Sequence, residues 1–149
     1  MNSKITSKMM MPVLALCLLA LVACGAEAKV RARKTVRLNQ SFVLRVGQEV
    51  LVAEQKLSVK FVSVPEDSRC PKGVNCIWAG NVRVQLQVTK AKSKPVKVEL
   101  SLNPRDFPDG EAADCGDYKI KLVKVDPYPV ADQQLKAGDY TATLSVSKK

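Results

Sequence analysis

Val82-Arg83-Val84-Gln85-Leu86-Gln87-Val88 alternates aliphatic and polar side chains without a break. In an extended chain successive side chains point to opposite faces, so this segment is predicted to be a strand with one face in a core and one in water. The same period recurs in Val96-Lys97-Val98-Glu99-Leu100-Ser101-Leu102, which Thr89 to Pro95 would join to it as a hairpin. Working outward, Phe42, Leu44 and Val46 alternate in this way, as do Leu57, Val59 and Phe61. Tyr118, Ile120 and Leu122 follow, then Tyr140, Ala142, Leu144 and Val146. A turn at Gly47-Gln48 separates the first set from Val50 to Val52. No segment sustains a helical period. About seven short strands with one buried face imply an all-β fold, an antiparallel β-sandwich of immunoglobulin-like kind, with a small β-barrel as the alternative.

Between the strands lie two longer irregular pieces rich in Pro, Asp and Gly, Asn103 to Gly116 and Asp126 to Gly138; Val130 to Leu135 within the second is a candidate short helix. Upstream of the strands, residues 24–40 are polar and basic, with Lys29, Arg31, Arg33, Lys34 and Arg37, and read as a tether that turns into a first strand near Val36. Before them, Lys4 and Lys8 precede an apolar run from Val13 to Val22, too short to span a bilayer, which takes about 20 apolar residues. The run ends in Leu21-Val22-Ala23-Cys24-Gly25, the pattern of a lipobox. The expected organisation is therefore a lipoprotein signal peptide at 1–23, a lipidated tether at 24–40 starting at Cys24, and a β-sandwich domain at 41–149. Several acyl chains on Cys24 would anchor the chain firmly, each buried methylene adding about 0.8 kcal/mol. The absence of aspartate after Cys24 resembles lipoproteins sorted to the outer membrane of a double-membraned bacterium, facing the periplasm.

The densest run of unusual residues is Asp67-Ser68-Arg69-Cys70-Pro71-Lys72-Gly73-Val74-Asn75-Cys76-Ile77-Trp78-Ala79-Gly80. It resembles the D-S-R-C-P-x-x-V-x-C-x-W-A-G box of small bacterial lipoproteins and secreted proteins without established function. That resemblance implies an envelope address and this fold, and names no activity. Pro71 and Gly73 can turn the chain so that Cys70 and Cys76 meet in a disulfide; a bridge from either to Cys115 is the alternative. In the first case Cys115 stays unpaired, its neighbour Asp114 disfavouring the thiolate. The spacing, the absence of histidine and an oxidising compartment argue against zinc. Trp78 is expected in the core, where such sandwiches seat a large aromatic. Asp67 and Arg69 either pair at the loop base or face a partner.

The 149 residues carry 24 Lys and Arg against 14 Asp and Glu, a formal charge of +10 that becomes +8 when Lys4 and Lys8 leave. A basic envelope protein suits anionic lipid or lipopolysaccharide, or an acidic protein. Nucleic acid is not expected as a partner, since neither zinc-finger spacing nor an aromatic RNA-binding box is present. With no histidine, the commonest general base and the usual partner of a serine or cysteine nucleophile are missing. Adjacent Glu66 and Asp67 do not straddle a substrate as glycosidase carboxylates do. The acidic stretch Asp106, Asp109, Glu111, Asp114 and Asp117 lacks the spacing of a calcium loop. The expectation is a non-catalytic binding or assembly module, without metal or cofactor, that engages another envelope protein through a pinned loop of Asp67, Arg69, Pro71, Lys72, Gly73, Val74 and Asn75. Two alternatives stand beside it. One is a peptidase inhibitor presenting Lys72-Gly73; the other is a structural protein that touches an anionic membrane through its tether and through Lys90, Lys92 and Lys94.

Overall fold

The computed structural model describes residues 34–102 and 110–149. The signal peptide 1–23, Cys24, the tether up to Arg33, and Asp106 and Asp109 lie outside the described residues. Nine strands form among the described residues: β1 (Lys34–Val36), β2 (Ser41–Arg45), β3 (Glu49–Val52), β4 (Leu57–Asp67), β5 (Val82–Lys90), β6 (Val96–Ser101), β7 (Ala112–Cys115), β8 (Tyr118–Asp126) and β9 (Thr141–Lys148). They make a five-stranded sheet in the order β1-β3-β4-β5-β6 and a four-stranded sheet in the order β2-β9-β8-β7. All pairs are antiparallel except the short parallel pair of β1 with β3. This is the two-sheet sandwich that the alternation implied, connected as meanders: β3 to β6 are successive neighbours in one sheet, β7 to β9 in the other.

The alternation explains the core. Val82, Val84, Leu86 and Val88 of β5 turn inward and are buried, while Arg83, Gln85 and Gln87 are only half-covered. From the other sheet Ile120, Leu122, Ala142, Leu144 and Val146 meet them, joined by Leu57, Val59 and Phe61 of β4 in one continuous apolar cluster. Each such side chain contributes about 1.5–3 kcal/mol on full burial.

A first strand forms near Val36 as expected: Lys34–Val36 pairs with β3, with Val36 packed on the core. Two expectations need correction. The Asn103 to Gly116 piece contains β7, a hairpin partner of β8 too short to display a period of its own. Finally, residues 130–135 are not helical; a single 3-10 turn forms just after them at Ala137–Asp139, where the Lys136 N–H donates to Asp139 Oδ2 at 2.9 Å.

Candidate interaction surface

β4 and β5 continue past the sheet as a projecting hairpin that holds the cysteine box. The Ser68 N–H donates to the Asn81 carbonyl at 2.7 Å and the Cys70 N–H to the Ala79 carbonyl at 2.9 Å, so the two arms stay paired beyond the last strand residues. The Ser101 hydroxyl donates to Asn81 Oδ1 at 2.5 Å and ties the base to β6. Gly80 makes the close approach of the arms possible. Its φ is +74°, and a Cβ there would stand 1.9 Å from the Ser68 carbonyl oxygen. At the tip Cys70 and Cys76 form a disulfide, with Cα atoms 5.9 Å apart. Closing so short a loop stabilises the fold by about 2 kcal/mol on the chain-entropy argument. Cys115 is the free thiol among the described cysteines, half-buried in β7. Burial pushes its pKa up and the Asp114 charge adds to this, with Lys149 opposing.

Asp67 and Arg69 brace the hairpin against the other sheet. Arg69 Nε and Nη2 donate to the two carboxylate oxygens of Asp67 at 2.8 and 2.6 Å, a bidentate pair with both side chains buried. Arg69 Nη1 donates to the Val125 carbonyl at 2.7 Å and Nη2 also to the Pro127 carbonyl at 2.9 Å. The Tyr140 hydroxyl completes the set by donating to Asp67 Oδ2 at 3.1 Å. Burial by itself would raise the Asp67 pKa. The hydrogen bonds and charge of Arg69, with the Tyr140 hydroxyl, outweigh it and hold this carboxyl below its ordinary value. Tyr140 moves the opposite way, pushed up by burial and by the Asp67 charge. Of the two readings of Asp67 and Arg69, pairing at the loop base is the one these bonds show; their polar atoms are turned to the interior and not toward a partner, as their place among the expected loop residues had implied.

The segment after β8 lies along the hairpin. The Lys72 N–H donates to the Pro129 carbonyl at 3.0 Å and the Ala131 N–H to the Lys72 carbonyl at 3.2 Å, a one-residue parallel bridge. The Tyr128 ring sits 5.0 Å from the Arg69 guanidinium and 5.8 Å from Lys72 Nζ, within cation–π reach of both.

Beside polar Lys72 and Asn75, this braced element exposes a set of large apolar side chains. Ile77 is fully exposed, and Trp78, Val74, Tyr128 and Val130 are each more than a third exposed. Trp78 is not the core aromatic it was expected to be. The buried run of β5 starts at Val82, so Trp78 falls on the projecting arm, where no facing sheet can cover it. Of the expected loop residues, Lys72, Gly73, Val74 and Asn75 are exposed at the tip and Pro71 is half-buried. Sequence reasoning missed Ile77, Tyr128 and Val130. The signal for Ile77 was there: Cys76-Ile77-Trp78 is an apolar run without alternation, which neither a half-buried strand nor a solvated turn requires.

Among the described residues no three His, Cys, Asp or Glu side chains stand together as a metal-ligand set. No known protein family, curated protein or solved structure matches this chain.

Proposed function

We propose that this chain is a non-catalytic, lipid-anchored envelope protein that binds another envelope protein, or assists its assembly, through the tip of the disulfide-pinned hairpin. The observation that carries the reading is the cluster Val74, Ile77 and Trp78, held in water on an element that has no freedom to fold them away. Scattered exposed apolar residues are ordinary, but several on one rigid projection mark a contact surface. A preformed tip also loses little conformational entropy on association. The titratable groups fit a binding role: Arg69 keeps Asp67 ionised, and burial with Asp114 keeps the Cys115 thiol protonated, so neither is poised as acid or nucleophile. Anchoring through Cys24 and an outer-membrane address facing the periplasm belong to the same proposal and rest on the lipobox.

The inhibitor alternative loses ground on one point. Both main-chain groups of Lys72 are already bonded to Pro129 and Ala131, whereas a bait residue must offer its backbone to the protease cleft. A membrane reading keeps one favourable observation: no carboxylate interrupts residues 70–80, and the segment combines Lys72 with exposed Ile77 and Trp78, a composition suited to the bilayer interface.

The test is chemical cross-linking in the native envelope, comparing the chain with a version in which residues 71–75 are replaced by glycine and serine. Capture of a discrete protein by the native tip alone supports the proposal. Equal capture by both moves the contact elsewhere, and flotation with anionic vesicles that depends on the tip favours the membrane reading.

A further inference from the structure

We infer that the free edge of β6 is a self-complementary surface that pairs with β6 of a second copy of this chain. The inference is independent of the hairpin tip, because it concerns the other border of the five-stranded sheet.

β6 is an edge strand, with β5 as its one neighbour in the sheet among the described residues. The direction of its backbone groups follows from two bonds. The Leu102 N–H donates to Val82 of β5, whereas the Ser101 N–H points the other way, to the Gly110 carbonyl. In an antiparallel ladder this direction alternates, so the N–H and C=O groups of Val96, Val98 and Leu100 face β5 and those of Lys97 and Glu99 face outward. Lys97 and Glu99 have no backbone partner among the described residues. Nor does β7 cover them: β6 and β7 are separated by a cleft of about 550 Å³, with Leu57, Val88, Val98, Ala113 and Cys115 along its walls. The free stretch is bounded by Pro95, which has no N–H, and by Ser101, whose N–H is taken.

An exposed edge usually carries lysine to repel strand addition. Here Lys97 is matched by Glu99 two residues on, with Val98 between them. Antiparallel pairing of two copies about a twofold axis through Val98 places Lys97 of each opposite Glu99 of the other. These are the two residues whose backbone groups face outward, so each such pair exchanges two N–H···O bonds and adds an opposite-charge contact on the outer face. The same register sets Val96, which is more than half exposed, against Leu100 of the second copy. A slip of two residues either way would put Lys97 against Lys97 or Glu99 against Glu99. The charges therefore select one register and one partner, and the interface is isologous, as twofold dimers require.

Sedimentation velocity of the purified full chain in detergent, over a wide range of concentration, tests this. The expected result is a reversible monomer–dimer equilibrium. Lys97→Glu and Glu99→Lys should each weaken it by about tenfold or more, since each sets like charges opposite one another. An equimolar mixture of the two single variants should dimerise again, because every facing pair then carries opposite charge, and the double variant K97E/E99K should also recover. Glu99→Pro removes an outward N–H while sparing the bonds to β5, and should abolish dimers with the thermal unfolding temperature nearly unchanged. A chain monomeric at every concentration would overturn the inference. So would dimers indifferent to the charge reversals.

Discussion

Every guanidinium nitrogen of Arg69 donates within the protein, to Asp67, to the Val125 carbonyl and to the Pro127 carbonyl. Removing its side chain leaves the Asp67 carboxylate buried without a counter-charge, held only by the Tyr140 hydroxyl and by the backbone N–H of residue 69 at 3.3 Å. Arg69→Ala should therefore cost about 3–5 kcal/mol in urea unfolding, the range for breaking a buried pair from one side. The same pair sets a pH dependence. Because the folded-state pKa of Asp67 is depressed, its stabilisation is complete above the unfolded value near 3.8 and is lost as pH falls through the lower folded value. Wild type should exceed Asp67→Asn in stability at about pH 6, and the gap should close toward about pH 2; a gap independent of pH would contradict this assignment. Gly80 is the other critical residue. With φ at +74° and the Ser68 carbonyl only 1.9 Å from any Cβ, Gly80→Ala must force the arms apart, at a cost of about 1–3 kcal/mol or more by thermal unfolding. At this scale the sequence was partly readable. The Asp67–Arg69 pairing follows from short-range turn chemistry, whereas their burial depends on Val125, Pro127 and Tyr140, between 56 and 73 residues away.

The elements most readable in sequence are those with an unbroken period of two. β5 and β9 show it throughout, and β8 as far as a bulge after Leu122, because one face of each meets the core. β4 shows it only as far as Phe61. Beyond that residue the register against β5 shifts twice, between Phe61 and Ser63 and between Ser63 and Glu66, and each bulge resets which face a side chain takes. Pro65 is tolerated there because pairing with β3 ends at Lys60. β7 was hidden for a different reason, since four residues hold too few alternations to stand out. The projecting hairpin carries the proposed contact surface, and its brace can be tested apart from its tip. Cys70→Ala/Cys76→Ala should lose about 2 kcal/mol, lowering the unfolding temperature by about 5–10 °C. The far-UV spectrum should remain that of a β protein, because the buried core lies within the sandwich and not in the hairpin. Global loss of β structure would mean that the staple organises the whole domain.

For the whole molecule, the alternation pattern implied two sheets and one core but not their order, since neighbouring strands are chosen by contacts between distant residues. β2 pairs with β9 across almost the full length of the domain, and nothing local to Ser41–Arg45 announces it. The finished sandwich separates its two exposed features. The braced tip carries Val74, Ile77 and Trp78, while the free edge of β6 is defined by Lys97 and Glu99. Lys90 at the end of β5 is tied to Asp117 at 2.5 Å, which raises the lysine pKa and lowers that of the aspartate. Of the basic patch expected at the β5–β6 turn, this leaves Lys92 and Lys94 as the lysines without an ion pair among the described residues.

In the proposed function, the apolar tip is the contact surface. The decisive comparison, by cross-linking capture in the native envelope, is Ile77→Glu/Trp78→Glu against Val43→Glu/Val123→Glu, which places the same charges on exposed apolar strand positions outside the hairpin tip. The tip variant should fold with unchanged stability and lose its captured partner, while the strand variant keeps it. Retention of the partner by the tip variant would contradict the claim.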